Sequence, residues 1–177
     1  MKIWSVLSDA TRGWQMIISG QPGWRDRFTL SGAGLATALC VFAFFAFLAV
    51  ALASMSIGMP ATFGVLAAMV ILALPVISLL VTLVTTRNIL KSEAPMLPVL
   101  VPGIYAMTGF LLIEGLLAMI GGPVVMMAWF ALGFLLYRLA RQACDWSLGT
   151  AAGFAVLTVL LLVAMRYALY MLSNAPL

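Results

Sequence analysis

The sequence predicts an all-α fold: a polytopic membrane helix bundle with five transmembrane helices, preceded by an amphipathic helix at the membrane interface. Three observations predict it: the composition, five long apolar runs, and the placement of Lys and Arg. Hydrophobic residues make up 65% of the 177 residues, charged residues only 8%, and the mean hydropathy is +1.19. Soluble domains carry about 25% charged residues. Because so apolar a chain cannot cover its own surface with polar groups, we expect its solvent to be lipid.

Each apolar run is long enough for a membrane-spanning helix, which needs about 20 residues. Helices are required because lipid offers no partners for backbone N–H and C=O groups. The runs do not alternate apolar and polar residues as barrel strands do. The predicted spans cover about residues 30–53, 61–85, 97–120, 123–139 and 147–172. We therefore divide the chain into a segment over residues 1–27 and a transmembrane domain over residues 28–177.

The basic residues predict the orientation. All but Arg166 lie before the first span, in the loop between the second and third spans, or at the junction of the fourth and fifth; they are Lys2, Arg12, Arg25, Arg27, Arg87, Lys91, Arg138 and Arg141. Since Lys and Arg collect on the cytoplasmic side, we expect a multi-pass protein of the inner (plasma) membrane. Its N-terminus is then cytoplasmic and its C-terminus periplasmic or extracellular. A cleaved signal peptide is the alternative for the first run, but the run exceeds the usual length of about 7–15 residues.

Residues 1–27 read as an amphipathic segment in the cytoplasmic interface. One helical face is apolar; it consists of Ile3, Leu7, Ala10, Trp14, Ile17 and Ile18. Membrane-interface helices place aromatic and basic side chains at headgroup depth. The predicted interfacial anchors are Trp4, Trp14, Trp24, Arg25 and Arg27. The alternative is that this helix packs on the cytoplasmic ends of the bundle, and both arrangements are compatible.

Two charged residues, Glu114 and Arg166, lie inside predicted spans. Both spans run in the same direction, and both residues lie at similar distances from the outer end. A lone charge at such depth costs at least about 2.5 kcal/mol. We therefore predict that Glu114 and Arg166 form an intramembrane polar pair. An ion or proton path is the functional alternative, and snorkelling of Arg166 to the headgroups is another. A structural pair is favoured because no second acidic residue appears in any span.

Proline and glycine mark two further features. Pro75 lies near the middle of the second span and predicts a helix kink. Gly149 and Gly153 form a small-xxx-small pattern at the start of the fifth span, which predicts close helix packing. That packing could occur within the chain or with another chain.

Enzyme signatures are missing from the sequence. It contains no histidine, no nucleophile motif and no phosphate-binding loop. Cys40 and Cys144 should lie at different depths, so we expect no disulfide. We predict that the protein is not an enzyme and uses no cofactor or metal. The net charge of +4 indicates contact with membrane lipids rather than nucleic acid.

The segment from Trp129 to Leu136, followed by Arg138, Arg141 and Ser147, resembles the end of the Yip1-like family of five-span integral membrane proteins. The Pro22-Gly23-Trp24 sequence is similar to the proline and aromatic residues that precede that family's first span. The resemblance implies five spans with a cytoplasmic N-terminus. Eukaryotic members of that family act as membrane adaptors in trafficking, whereas bacterial members have no settled activity.

Three functions follow as hypotheses. The first is a non-enzymatic adaptor or accessory subunit that acts through other membrane proteins or through self-association. The second is a small transporter or channel-like protein that uses Glu114 and Arg166. The third is a lipid-handling protein whose N-terminal helix senses the cytoplasmic leaflet.

Overall fold

The computed structural model describes residues 3–57 and 62–173, and all regular secondary structure within these ranges is helical. The six α-helices are α1 (Ile3–Ser19), α2 (Gly32–Ile57), α3 (Thr62–Leu90), α4 (Leu97–Ile120), α5 (Met126–Cys144) and α6 (Leu148–Ser173). Short 3-10 helices cover Trp24–Arg27 before α2 and Gly122–Val125 before α5. The predicted start of the second span, at Ala61, lies outside the described residues.

Five of these helices, α2 to α6, are long and apolar enough to cross a membrane. The helix α4 matches its predicted bounds. By contrast, α3 and α5 each continue five residues past the predicted end of the apolar run. The prediction concerned the apolar runs, and these two helices extend beyond them. A helix continues wherever its backbone hydrogen bonds are satisfied, and Arg87 and Arg141 lie in these polar last turns.

The helix ends are set by local chemistry. Ser31 and Ser147 cap α2 and α6, since their hydroxyl oxygens accept hydrogen bonds from the N–H groups of Gly34 and Thr150. At the other ends of α3 and α5, Lys91 and Asp145 adopt positive φ angles of 47° and 51°. This left-handed conformation ends a helix by turning the chain away from its axis.

The helix α4 lies at the centre of the bundle. It packs on α2, α3 and α5, and α6 closes the arrangement by packing on α3 and α5. Almost every residue of α4 from Pro98 to Leu111 is buried. Consecutive spans are neighbours, as their short links predict, but the contacts of α2 with α4 and of α3 with α6 are more extensive than those that α3 makes with α2 or α4.

The N-terminal helix α1 packs against α4, α5 and the segment that leads into α2. Its residues Ala10, Gly13 and Ile17 are buried against the protein. Gly13 is required there, because a Cβ atom at this position would collide with the ring of Phe28. Part of the apolar face of α1 is therefore used for protein packing.

Candidate functional site

Glu114 of α4 and Arg166 of α6 are brought together in the structure. Nη1 and Nη2 of Arg166 donate hydrogen bonds to Oε1 and Oε2 of Glu114 at 2.5 and 2.9 Å. This two-pronged geometry matches the planar guanidinium to the carboxylate and is among the strongest ion-pair arrangements in proteins. At 1.5 Å per residue, both residues lie about 26 Å along their helices. The equal depth that the sequence predicts allows the pair to form.

Two aromatic rings surround the guanidinium. Its Cζ atom lies 5.1 Å from the ring centroid of Trp129 on α5 and 5.7 Å from that of Phe110 on α4. The two rings pack edge to face at 5.2 Å. A cation over the face of an aromatic ring is attracted by the negative potential of that face. The ion pair and the rings therefore connect α4, α5 and α6 in one cluster.

The side chains of Arg166 and Glu114 are 24% and 16% exposed. Both oxygens of the carboxylate are occupied by the guanidinium, and the net charge of the pair is zero. The pair thus joins α4 to α6 without adding net charge. It leaves Glu114 with no free oxygen for a transported cation unless the pair opens.

The other basic side chains that the structure describes lie in the half of the bundle away from this pair, and we call the end that carries Arg25, Arg87, Arg138 and Arg141 the basic end. Arg138 donates hydrogen bonds to the carbonyls of Ile17 and Ile18, at 3.3 and 2.6 Å. Helix ends leave such carbonyls without partners inside the helix, and they carry partial negative charge. Arg138 therefore caps the last turn of α1.

The remaining three arginines of the basic end also donate to backbone carbonyls, either in the last turn of a helix or just beyond it. Arg25 donates to the carbonyl of Ala143 in the last turn of α5, at 3.2 Å. Arg87 and Arg141 donate to backbone carbonyls just beyond the ends of their own helices; the acceptors are Ser92 and Trp146. The positive-inside pattern alone does not reveal these contacts with helix ends. Their signal was present, since Arg87, Arg138 and Arg141 all lie in the final two turns of a helix.

The predicted interfacial anchors occupy different surroundings. Trp4 is 83% exposed, whereas Trp24 is buried and packs edge to face on Phe28. Trp14 is partly buried, and its indole N–H donates to the carbonyl of Pro102 on α4 at 3.1 Å. Trp14 and Trp24 are thus held by protein contacts, while Trp4 and Arg27 remain exposed. Their depth in a membrane stays a prediction.

Buried hydroxyl groups connect two helices in the middle of the bundle. Thr82 of α3 and Thr158 of α6 lie 2.7 Å apart through their Oγ1 atoms. Each hydroxyl also lies within hydrogen-bond distance of a carbonyl of its own helix, Ser78 for Thr82 and Phe154 for Thr158. Because a hydroxyl has one proton, only one of the two can donate across the interface at any moment.

Pro75 is buried within the single continuous helix α3. The hydroxyl of Ser78 donates to the carbonyl of Pro75 at 2.8 Å. The missing N–H of Pro75 leaves one carbonyl of the preceding turn without its usual partner. The helix nevertheless continues past Pro75 to Leu90.

The glycines show where sequence reasoning was incomplete. A Cβ atom at Gly149 or Gly153 would meet nothing within 4 Å, so neither glycine permits close packing within the described part of the chain. Gly103 of α4 does so instead, because a Cβ atom there would lie 2.7 Å from Cδ2 of Leu79 on α3. The sequence left open whether Gly149 and Gly153 pack within the chain or against another chain. Among the described residues, no helix packs closely on either glycine.

Across residues 3–57 and 62–173, no group of three or more His, Cys, Asp or Glu side chains is placed to hold a metal ion. Comparison of the chain with protein-family models, with curated proteins and with solved structures found no match. The Yip1-like resemblance therefore stays a prediction.

Proposed function

We propose that this chain is a non-enzymatic, multi-pass protein of the inner (plasma) membrane that acts through other membrane proteins, as an adaptor or an accessory subunit. The basic end faces the cytoplasm in this proposal, because Lys and Arg collect on that side. With five spans, the N-terminus is then cytoplasmic and the C-terminus lies outside. The helix α1 lies in the cytoplasmic interface, with exposed Trp4 and Arg12 directed to lipid and water.

The observation that carries the proposal is the uncovered face of α6. Gly149 is exposed, Gly153 is partly exposed, and a Cβ atom at either would meet open space. Val156 and Leu160 continue this face toward the opposite end and are 56% and 58% exposed. Glycines spaced in this way let a second helix approach closely, and within lipid this packing drives helix association.

A groove between α5 and α6 adjoins this face. It has a volume of about 420 Å³, and Phe134, Val156 and Leu160 are among its lining residues. Side chains of a partner helix packed on Gly149 and Gly153 would reach this groove. The groove and the glycine spacing therefore support the same contact, a partner helix packed on α6.

The transporter hypothesis is less well supported by the geometry. Glu114 and Arg166 satisfy each other, and Phe110 and Trp129 cover the guanidinium. An ion flux in proteoliposomes that stops in the Glu114→Gln variant would contradict a purely structural role for the pair.

Site-specific photocrosslinking in native membranes tests the proposal. A crosslinking residue at Val156 should give a discrete adduct, and the Gly149→Ile/Gly153→Ile variant should lose it. Gly109→Ile is the matched control, since Gly109 also faces open space but lies on α4. Recovery of a solitary monomer in mild detergent, together with no adduct from Val156, would overturn the proposal.

A further inference from the structure

A cleft of about 250 Å³ lies at the basic end, between α1, the segment before α2, and α4. It is distinct from the uncovered face of α6. The polar residues that line it are Asp9, Arg27, Thr29, Thr37 and Tyr105. Phe28 and Val101 contribute apolar walls. The cleft therefore combines both signs of charge with hydroxyl groups and apolar surface.

The two charges in the cleft are not used within the described part of the chain. The side chains of Asp9 and Arg27 form no ion pair or hydrogen bond with one another or with any other residue in 3–57 and 62–173. Both thus remain available to a ligand. A ligand that matches them must carry a cationic and an anionic group a short distance apart.

The hydroxyl of Thr37 narrows the chemistry of the cationic group. It donates its proton to the carbonyl of Ala33 at 2.9 Å, so it offers only lone pairs to the cleft. The carboxylate of Asp9 is also only an acceptor when ionised. A primary ammonium, which carries three N–H donors, fits these acceptors, whereas a trimethylammonium has no proton to donate. Arg27 is a donor suited to phosphate.

The position of the cleft favours a lipid over a metabolite. Arg27 and Thr29 directly precede the first apolar helix, which begins at Gly32. Thr37 and Tyr105 lie roughly 8 to 12 Å beyond the starts of α2 and α4, at 1.5 Å per residue. The headgroup layer of a bilayer leaflet is about 5 to 8 Å thick. When the starts of α2 and α4 are placed at the outer edge of this layer, the cleft extends from the interface into the top of the hydrocarbon region.

We propose that this cleft binds the zwitterionic headgroup of a phosphoethanolamine lipid in the leaflet at the basic end. The ammonium donates to the carboxylate of Asp9 and to Thr37 Oγ1, and the phosphate accepts from the guanidinium of Arg27. The half-buried phenol of Tyr105 lies on the wall between the interface and the acyl chains. This site does not depend on the partner contact at α6.

Native mass spectrometry of the full chain in detergent tests the site, with an equimolar mixture of phosphatidylethanolamine, phosphatidylglycerol and phosphatidylcholine of identical acyl chains. The wild type should retain phosphatidylethanolamine in preference to the other two. Arg27→Gln should lower its retention about tenfold, the effect of losing one charge-assisted hydrogen bond. Asp9→Asn should lower the preference over phosphatidylglycerol by about the same factor, because it replaces the charged acceptor of the ammonium with a neutral amide oxygen and removes the repulsion of a purely anionic headgroup.

Two exposed charges outside the cleft provide matched controls: Arg12→Gln and Asp26→Asn should retain the lipids as the wild type does. A further arm adds soluble glycerophosphoethanolamine. Its failure to displace the bound lipid would identify the membrane as the source of the ligand, and displacement would show that the headgroup alone is sufficient. Equal retention of the three lipids by the wild type would overturn the proposal, as would Arg27→Gln and Asp9→Asn variants that behave like the controls.

Discussion

Arg138 and Arg166 lie on neighbouring helices, yet they find partners of different kinds. At the basic end, Arg138 binds two backbone carbonyls in the last turn of α1. In the half of the bundle away from the basic end, Arg166 binds both oxygens of the Glu114 carboxylate and is covered by two aromatic rings. The Nε atom of each is buried without a partner among the described residues. The two arginines therefore differ in the partners that surround them and not in the chemistry of their side chains.

The difference shows how depth decides what an arginine needs. Helix ends near water leave carbonyls without partners, and their partial charge is enough for a guanidinium that is also near solvent. In the interior of an apolar helix most carbonyls are already used by that helix, so a side chain of opposite charge is the more effective partner. The charges of Glu114 and Arg166 cancel, so the net charge of +4 comes from the other charged residues. Among the described residues, none of these other charges lies in the half of the bundle that holds the ion pair.

The largest effect is expected from Glu114→Gln, which leaves the guanidinium of Arg166 unpaired. Breaking a buried ion pair by removing one partner costs about 3 to 5 kcal/mol. Thermal or denaturant unfolding in detergent micelles measures this loss. The Glu114→Gln/Arg166→Gln double variant should recover much of the stability, because it leaves no unpaired charge.

Glu93→Gln is the control for that experiment, since Glu93 is an exposed carboxylate in the loop at the basic end. It should change stability by less than about 0.5 kcal/mol. If Glu114→Gln had an equally small effect, the pair would be behaving as a solvent-exposed ion pair, and the contrast drawn between the two arginines would be wrong.

A smaller and more local effect is expected from Arg138→Met. The variant removes two hydrogen bonds to the end of α1, each of which contributes about 1 kcal/mol. Amide hydrogen exchange should become faster in the last turns of α1, while the amides of α4 and α6 keep their protection. Arg12→Met, an exposed substitution on α1 itself, is the control. Unchanged exchange in Arg138→Met would show that α1 is held by its apolar contacts alone.

The smallest effect is expected from Thr82→Val, which removes the hydroxyl contact between α3 and α6. Hydrogen bonds between membrane helices average about 0.6 kcal/mol. Unfolding in micelles should detect this loss against Thr108→Val, whose hydroxyl bonds only a carbonyl of its own helix. Equal losses in the two variants would mean that the contact with Thr158 contributes nothing across the interface.

The sequence by itself determined the number and approximate position of the apolar helices and the equal depth of Glu114 and Arg166. Both depend on the contrast between lipid and water along the chain, which composition records directly. The polar last turns of α3 and α5 lie beyond the predicted spans, because composition marks only the apolar part of a helix. The sequence predicted that the four arginines of the basic end lie on one side of the membrane. Their carbonyl partners could be identified only from the fold.

Only the tertiary structure decided which faces of the helices are in contact. It placed Gly103, rather than Gly149 or Gly153, at a close approach between helices, and it formed the cleft between Asp9 and Arg27. The physical reason is that lipid is as apolar as a protein interior. A span therefore needs no polar face toward its surroundings, and its sequence carries no periodic signal of which side is buried.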